Sequence, residues 1–192
     1  MENKYILNQH AGATSVDINA LPYLKDHMSV KSLLDIGCGP GGNVEYARSI
    51  GVDAFGIDGD QTILPQKPYF SKVDYSIGSS NLSKTFDIGW SVEFAEHIEE
   101  RYIENFMRDY KKCSSIIFTA APPGWGGVGH VNEQKKAYWI KRFEKNGFSY
   151  NPKKTTLVRR VSCLVFKGSI RAPKKQFVKN RGLVFDNLNL KP

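Results

Sequence analysis

The segment at 32–60 constrains the fold most, because an apolar run, a glycine cluster, a helical stretch and a second apolar run follow one another there. The cluster consists of Gly37, Gly39, Gly41 and Gly42. Glycine lets the backbone adopt positive φ and approach a ligand closely, and the helix that follows presents N–H groups without partners. Asp58 ends the second apolar run, where an acid can accept hydrogen bonds from ribose hydroxyls. The segment therefore predicts a strand, loop, helix and strand that bind a nucleoside-containing cofactor.

The rest of the chain alternates between apolar runs and stretches with helical spacing. We predict strands at 31–36, 53–58, 72–78, 86–92, 115–120, 148–150 and 156–166, with a short edge strand at 182–185. Helices are predicted after the glycine cluster, at 95–111 and at 133–146. This alternation predicts an α/β fold, a Rossmann-like, mostly parallel sheet of about seven strands with helices on both faces.

The length of 192 residues fits a single domain at 1–192. Within it we predict an N-terminal segment at 1–30 with a short helix, and a basic C-terminal tail at 168–192. No apolar run approaches the roughly 20 residues of a membrane span, and the N-terminus lacks the apolar core of a signal peptide. The three scattered cysteines fit a reducing compartment. These features predict a cytoplasmic protein without a membrane partner.

The formal net charge is +8, and much of the positive charge lies in the last quarter of the chain. A basic surface can attract RNA or another polyanion. However, the basic residues form no dense run, and scattered basic residues are also typical of an ordinary solvated surface. Charge alone therefore leaves both interpretations open, and the oligomeric state is likewise undetermined by the sequence.

Three motifs carry a resemblance to a known family. Residues 35–42, DIGCGPGG, resemble the glycine motif of the class I S-adenosylmethionine-dependent methyltransferases. Residues 86–98 resemble the fourth-strand motif of the same superfamily, and 129–148 resemble a subgroup of small bacterial and phage methyltransferases. The resemblance covers about residues 32–166. It implies the class I methyltransferase fold and S-adenosyl-L-methionine as the cofactor.

The resemblance also implies which residues line the cofactor. Those positions are Asp35, Gly37, Cys38, Gly39, Gly41, Asp58, Gly59, Asn81, Leu82 and Ser91. In the family pattern, Asp35 and the glycines contact the methionine end, Asp58 holds the ribose hydroxyls, and Ser91 approaches the cofactor through its backbone. Asn81 and Leu82 would contact adenine. Asn81 departs from the acid that the family often has there, although its side-chain oxygen can still accept from the adenine amine.

Methyl transfer requires that the acceptor be positioned and, for a hydroxyl, deprotonated. The motif N-P-P-Y, typical of enzymes that methylate base amino groups, is absent after the fourth strand, where the chain reads SVEF. We therefore expect transfer to oxygen. A small polar or sugar-like acceptor is favoured because the chain contains no recognisable nucleic-acid-binding module. His130 and Glu93 are the candidate catalytic residues, with His130 as the general base.

A metal-assisted alternative rests on the spacing of Glu93, Glu96 and His97, which at i, i+3 and i+4 would share one helix face. His130 is expected at the same sheet edge, and the four side chains could bind Mg²⁺ to polarise a hydroxyl. Small-RNA 2′-O-methyltransferases are similar here, which would imply an RNA acceptor. The same acids could instead cap a helix. A third hypothesis is a non-catalytic cofactor- or nucleic-acid-binding protein.

Overall fold

The computed structural model describes residues 14–166 and 175–190. The strands are β1 (Ser15–Asp17), β2 (Ser32–Ile36), β3 (Asp53–Asp58), β4 (Phe70–Lys72), β5 (Phe86–Val92), β6 (Cys113–Thr119), β7 (Phe148–Tyr150), β8 (Leu164–Phe166) and β9 (Leu183–Asn187). The helices are α1 (Ala20–Met28), α2 (Gly42–Ser49), α3 (Ile103–Tyr110), α4 (Lys136–Lys145), α5 (Pro152–Val161) and α6 (Phe177–Arg181). Two 3₁₀ turns, Ala95–His97 and Glu100–Tyr102, lie between β5 and α3.

Seven strands form one sheet in the order β4-β3-β2-β5-β6-β9-β7. The first five of these strands run parallel, and β9 is antiparallel to both of its neighbours. Strands β1 and β8 pair separately as an antiparallel ribbon. The predicted α/β fold with a mostly parallel seven-stranded sheet is confirmed.

Helices cover both faces of this sheet. Neighbouring residues of a strand point to opposite faces, and Leu33 and Leu34 of β2 accordingly belong to two different buried clusters. The cluster around Leu34 includes residues of α3 and α4, whereas the cluster around Leu33 includes residues of α1, α2, α5 and α6. Burial on both faces explains why the parallel strands are continuous apolar runs.

The prediction of a strand at 72–78 was wrong, because β4 ends at Lys72. The Asp74 carboxylate accepts hydrogen bonds from the backbone N–H and the hydroxyl of Ser76, a local turn that removes the segment from the ladder. The Tyr75 hydroxyl donates to the buried Asp109 at 2.8 Å. These bonds hold the segment as a loop at the carboxyl edge of the sheet.

The prediction of one helix at 95–111 was also wrong in its first half, since α3 begins at Ile103. The carbonyl of Glu96 accepts from the backbone N–H groups of Val131 and Asn132, at 2.9 and 3.0 Å. In an α-helix, that carbonyl would instead accept a hydrogen bond from the backbone N–H four residues further along the chain. The loop after β6 therefore takes the place of a helical turn, and the acids at 93 and 96 do not share a helix face.

A helix occupies most of the region predicted as a strand at 156–166. Asn151 caps α5, accepting from the backbone N–H of Lys154 at 2.9 Å, and Pro152 is the first helical residue. Val158 packs into the core from this helix. Only Leu164–Phe166 forms a strand there.

The short strand predicted at 182–185 exists as β9, but its predicted edge position was wrong. Strand β9 lies inside the sheet between β6 and β7, with Val184 opposite Ile117. Of the tail predicted at 168–192, residues 168–174 and 191–192 lie outside the described residues. In the described part of the chain, no helix is long and apolar enough to cross a membrane.

Candidate cofactor and acceptor site

The loop between β2 and α2 is shaped by glycines in the left-handed region. Gly37, Gly39 and Gly41 have φ values of 77°, 52° and 77°. The backbone N–H groups of Gly37 and Cys38 both donate to the carbonyl of Ile57, at 2.9 and 3.1 Å. The loop therefore turns over the carboxyl end of β3, and an L-residue at these φ values would be strained.

The three glycines differ in what surrounds them. A side chain at Gly37 would collide with Phe94, and one at Gly41 would collide with the ring of Phe70. A side chain at Gly39 would meet nothing within 4 Å. Gly37 and Gly41 thus allow close internal packing, whereas Gly39 borders open space that a ligand can occupy.

Asp58 is fixed beside this open space. Its Oδ2 accepts from the backbone N–H of Gly39 at 2.8 Å, and its Oδ1 accepts from that of Asp60 at 2.9 Å. A carboxylate has about four lone-pair sites, so both oxygens can accept further hydrogen bonds. The geometry suits the recognition of vicinal hydroxyls such as those of a ribose.

Asp35 contributes a buried carboxyl to the same site. Its Oδ2 makes no hydrogen bond to any described residue. Burial, and then the charge of Asp58, raise the pKa of Asp35 well above its usual range. Unpaired buried polar atoms are rare in folded proteins. The orphaned oxygen and the open side of Gly39 therefore fit a polar ligand such as the methionine part of the cofactor.

The other predicted cofactor residues follow the same sheet edge. Cys38 is buried in the loop, and Gly59 is exposed after β3. Ser91 is buried at the end of β5, where its hydroxyl accepts from that of Tyr110 at 2.7 Å. Leu82 is half-buried and packs at the margin of the core, whereas Asn81 is exposed.

Asp74 is a candidate cofactor residue that the sequence interpretation missed. It lies two residues beyond the end of β4, and the N–H of its neighbour Val73 donates to the carbonyl of Asp58 at 2.9 Å. This bond sets the backbone next to Asp74 against the end of β3, whereas the sequence interpretation assigned the adenine contact to Asn81, further along the chain. Had the strand predicted at 72–78 been predicted to end at Lys72, Asp74 would have been recognised as the acid that follows this strand.

The side chains that the sequence interpretation assigned to the acceptor lie beyond β5 and β6. Glu96, His97 and His130 each offer a ligand atom, and these atoms lie within 4.8 Å of one another. Glu96 is fully buried; its Oε1 accepts from the backbone N–H of Ala121 at 3.0 Å, and its Oε2 has no partner among the described residues. Burial, and then the charge of Glu93, raise the pKa of Glu96 to about 8.

Glu93 points to a different partner. Its carboxylate forms an ion pair with Arg181 of α6, and the Thr119 hydroxyl donates to its Oε1 at 2.7 Å. Of the four predicted metal ligands, the structure therefore brings three together and holds Glu93 against a guanidinium. Glu93 also has φ of 57°, and such strain in a non-glycine residue is concentrated at functional sites.

His130 is held by Glu133, a residue whose role the sequence interpretation missed. The His130 Nδ1 and the Glu133 Oε1 are 2.7 Å apart. The N–H groups of Gly124 and Gly126 also donate to Glu133, both at 2.8 Å. The hydrogen bond from His130, together with these two, keeps the pKa of Glu133 below its usual value. Glu133 thus orders the loop and can fix the imidazole tautomer, with Nε2 as the acceptor.

The raised pKa of Glu96 predicts a stability that depends on pH. Between the ordinary value of 4.5 and about 8, the folded state keeps the proton and the unfolded state loses it, so this group destabilises the fold as pH rises. Glu96→Gln removes the titration. We expect the melting temperature of the variant to rise relative to wild type by on the order of 5 °C between pH 5 and pH 8.5. Scanning calorimetry with a chelator measures the difference, and an equal difference at both pH values would contradict the expectation.

No protein-family model and no curated protein matches the chain. Solved structures do. A SAM-dependent methyltransferase from Archaeoglobus fulgidus is 22% identical over 67% of this chain, with a TM-score of 0.52, and the chain spans 64% of its length. Magnesium protoporphyrin IX methyltransferase from Synechocystis, solved with bound SAH, is 15% identical over 87% of this chain and 80% of its own, with a TM-score of 0.58. The methyltransferase domain of bacterial CtHen1-C is 16% identical over 87% of this chain and 94% of its own length, with a TM-score of 0.54.

The sheet order and these similarities agree. The chain has the fold of the class I S-adenosylmethionine-dependent methyltransferases.

Proposed function

We propose that this chain binds S-adenosylmethionine and transfers its methyl group to an oxygen of a small polar or sugar-like acceptor. The observation that carries the proposal is the position of Asp58, fixed by the Gly39 N–H at the open side of the glycine loop. S-adenosylmethionine supplies an activated methyl group when bound.

In this proposal, residues at the ends of different strands contact different parts of the cofactor. Asp58 accepts from the ribose hydroxyls, and Asp74 faces the adenine end. Asp35 and the loop from Gly37 to Gly39 contact the methionine end. The burial of Asp35 and its unpaired oxygen support this assignment.

The acceptor hydroxyl would lose its proton to His130. The hydrogen bond from the His130 Nδ1 to the Glu133 carboxylate orients the imidazole, which is the arrangement of a general base with its supporting acid. Glu93 would act by holding Arg181 in place rather than by contacting the acceptor. The three free cysteines accord with a reaction in the cytoplasm.

A second candidate, metal-assisted 2′-O-methylation of RNA, is favoured by the cluster of Glu96, His97 and His130. The unpaired Oε2 of Glu96 fits a cation there. Two imidazoles and one carboxylate suit Mn²⁺ or Zn²⁺ better than Mg²⁺, which prefers oxygen ligands. A bound cation would polarise the acceptor hydroxyl.

The test is transfer of radiolabelled methyl groups from S-adenosylmethionine to a panel of sugars, sugar phosphates and short RNA. The proposal predicts labelling of a small acceptor in the presence of a chelator. Labelling of RNA alone, dependent on Mn²⁺ and lost in His97→Ala, would favour the second candidate. Cofactor binding without labelling of any acceptor would favour the non-catalytic alternative.

A further inference from the structure

Two cations contact the indole of Trp125, in the loop that also carries the candidate base His130. The Nζ of Lys175 is 4.6 Å from the ring centroid of Trp125, and the guanidinium carbon of Arg181 is 4.1 Å from it. Arg181 also lies 5.2 Å from the ring of Phe177. Cation–π contacts hold these side chains at defined positions. A lysine side chain without such a contact would sample many conformations.

Two connections tie this cluster to the catalytic edge. Arg181 pairs with Glu93, which directly follows the end of β5. The residues on either side of Trp125, Gly124 and Gly126, donate to Glu133, the acid that holds His130. The indole and the candidate base are therefore fixed by the same carboxylate.

The charge of the cluster is unbalanced. Glu93 neutralises one of the two cations, and no carboxylate among the described residues forms an ion pair with Lys175. The two like charges contact one ring, so their repulsion falls when an anion binds between or beside them. Lys175 is exposed and the Arg181 side chain is 19% exposed, so both can be reached from solvent.

We propose that Lys175, Arg181 and Trp125 form an anion subsite that binds a phosphate or carboxylate group of the methyl acceptor. The inference rests on the proposed function, and it narrows the acceptor to a small hydroxyl compound that carries a negative charge. The charged group is bound at the indole while the hydroxyl faces His130. This separates recognition of the acceptor from deprotonation of its hydroxyl.

The subsite can be tested without the cofactor, by fluorescence. Trp125 is 41% exposed, whereas Trp90 and Trp139 are 1% and 2% exposed, so external quenchers report on Trp125. We expect iodide to quench more strongly than caesium, and Lys175→Gln to weaken iodide quenching about twofold or more. Lys179→Gln, at an exposed position of α6 four residues further on, is the matched control and should leave iodide quenching unchanged. Acrylamide, a neutral quencher, verifies that the exposure of Trp125 is the same in all three proteins.

Competition then identifies the anion. In wild type, inorganic phosphate or acetate should protect Trp125 from iodide in a saturable way, whereas Lys175→Gln should show no saturable protection. Chloride is the ionic-strength control. Comparison of phosphate with acetate distinguishes phosphate from carboxylate recognition. Equal quenching in wild type and Lys175→Gln, or no saturable protection by either anion, would overturn the proposal. Short RNA that binds about 100-fold more tightly than the small anions, and loses affinity in Lys175→Gln, would also overturn it. A separate titration with S-adenosylhomocysteine distinguishes this failure from failure of the proposed function.

Discussion

Asp58→Ala is expected to weaken the binding of S-adenosylhomocysteine by about 100-fold or more, because a charged acceptor of two ribose hydrogen bonds is lost. The carboxylate also holds the N–H of Gly39, so the variant loosens the loop that faces the methionine end. Both effects act in the same direction. Isothermal titration calorimetry of the purified variant against wild type measures the loss.

Asp60→Ala is the matched control for this prediction. Asp60 lies in the same loop, but its carboxylate accepts from Thr62 and stabilises a local turn. We expect its affinity for S-adenosylhomocysteine to remain within about threefold of wild type. If both variants lose affinity equally, the loop rather than the Asp58 carboxylate is responsible, and the assignment of Asp58 is wrong.

His130→Ala is expected to lower kcat for the acceptor that the labelling panel identifies by about 100- to 10,000-fold, the usual contribution of a general base. Affinity for S-adenosylhomocysteine should not change, because His130 lies on the acceptor side of the site. His27→Ala, on α1 and outside the site, is the control with unchanged rate. Initial rates at saturating cofactor provide the comparison.

His97→Ala distinguishes the two roles that His130 can have. His97 lies against His130, with ring centroids 4.8 Å apart, whereas the hydrogen bond that would orient a base runs from His130 to Glu133. If His130 is a metal-free base, His97→Ala retains at least about a tenth of the rate. A loss equal to that of His130→Ala, with loss of Mn²⁺ binding, would contradict the metal-free role.

The parallel part of the sheet was predictable because each buried strand is a local apolar run that ends in a loop of polar or glycine residues. The glycine loop and Asp58 belong to one such unit and were located by spacing alone. The helix α5 was missed although its signal, Asn151 followed by Pro152, is present. The β-branched residues that follow favour a strand when the cap is ignored.

The acceptor side was less predictable because its geometry depends on distant parts of the chain. Arg181 pairs with Glu93 across 88 positions, and no local pattern indicates that bond. Strand β9, which begins two residues after Arg181, lies inside the sheet between β6 and β7, and a basic segment does not suggest that position. The spacing of Glu93, Glu96 and His97 was interpreted as a helix face. The turn at Glu96 instead separates Glu93 from the other two.

The loop from Gly37 to Gly41 and Asp58 are proposed to form the site for S-adenosylmethionine. A calorimetric titration of the wild-type chain with S-adenosylhomocysteine measures whether that site exists. We expect one site per chain with a dissociation constant in the micromolar range, and a higher melting temperature in the presence of the ligand. A folded chain that shows neither heat of binding nor thermal stabilisation at millimolar ligand would contradict it.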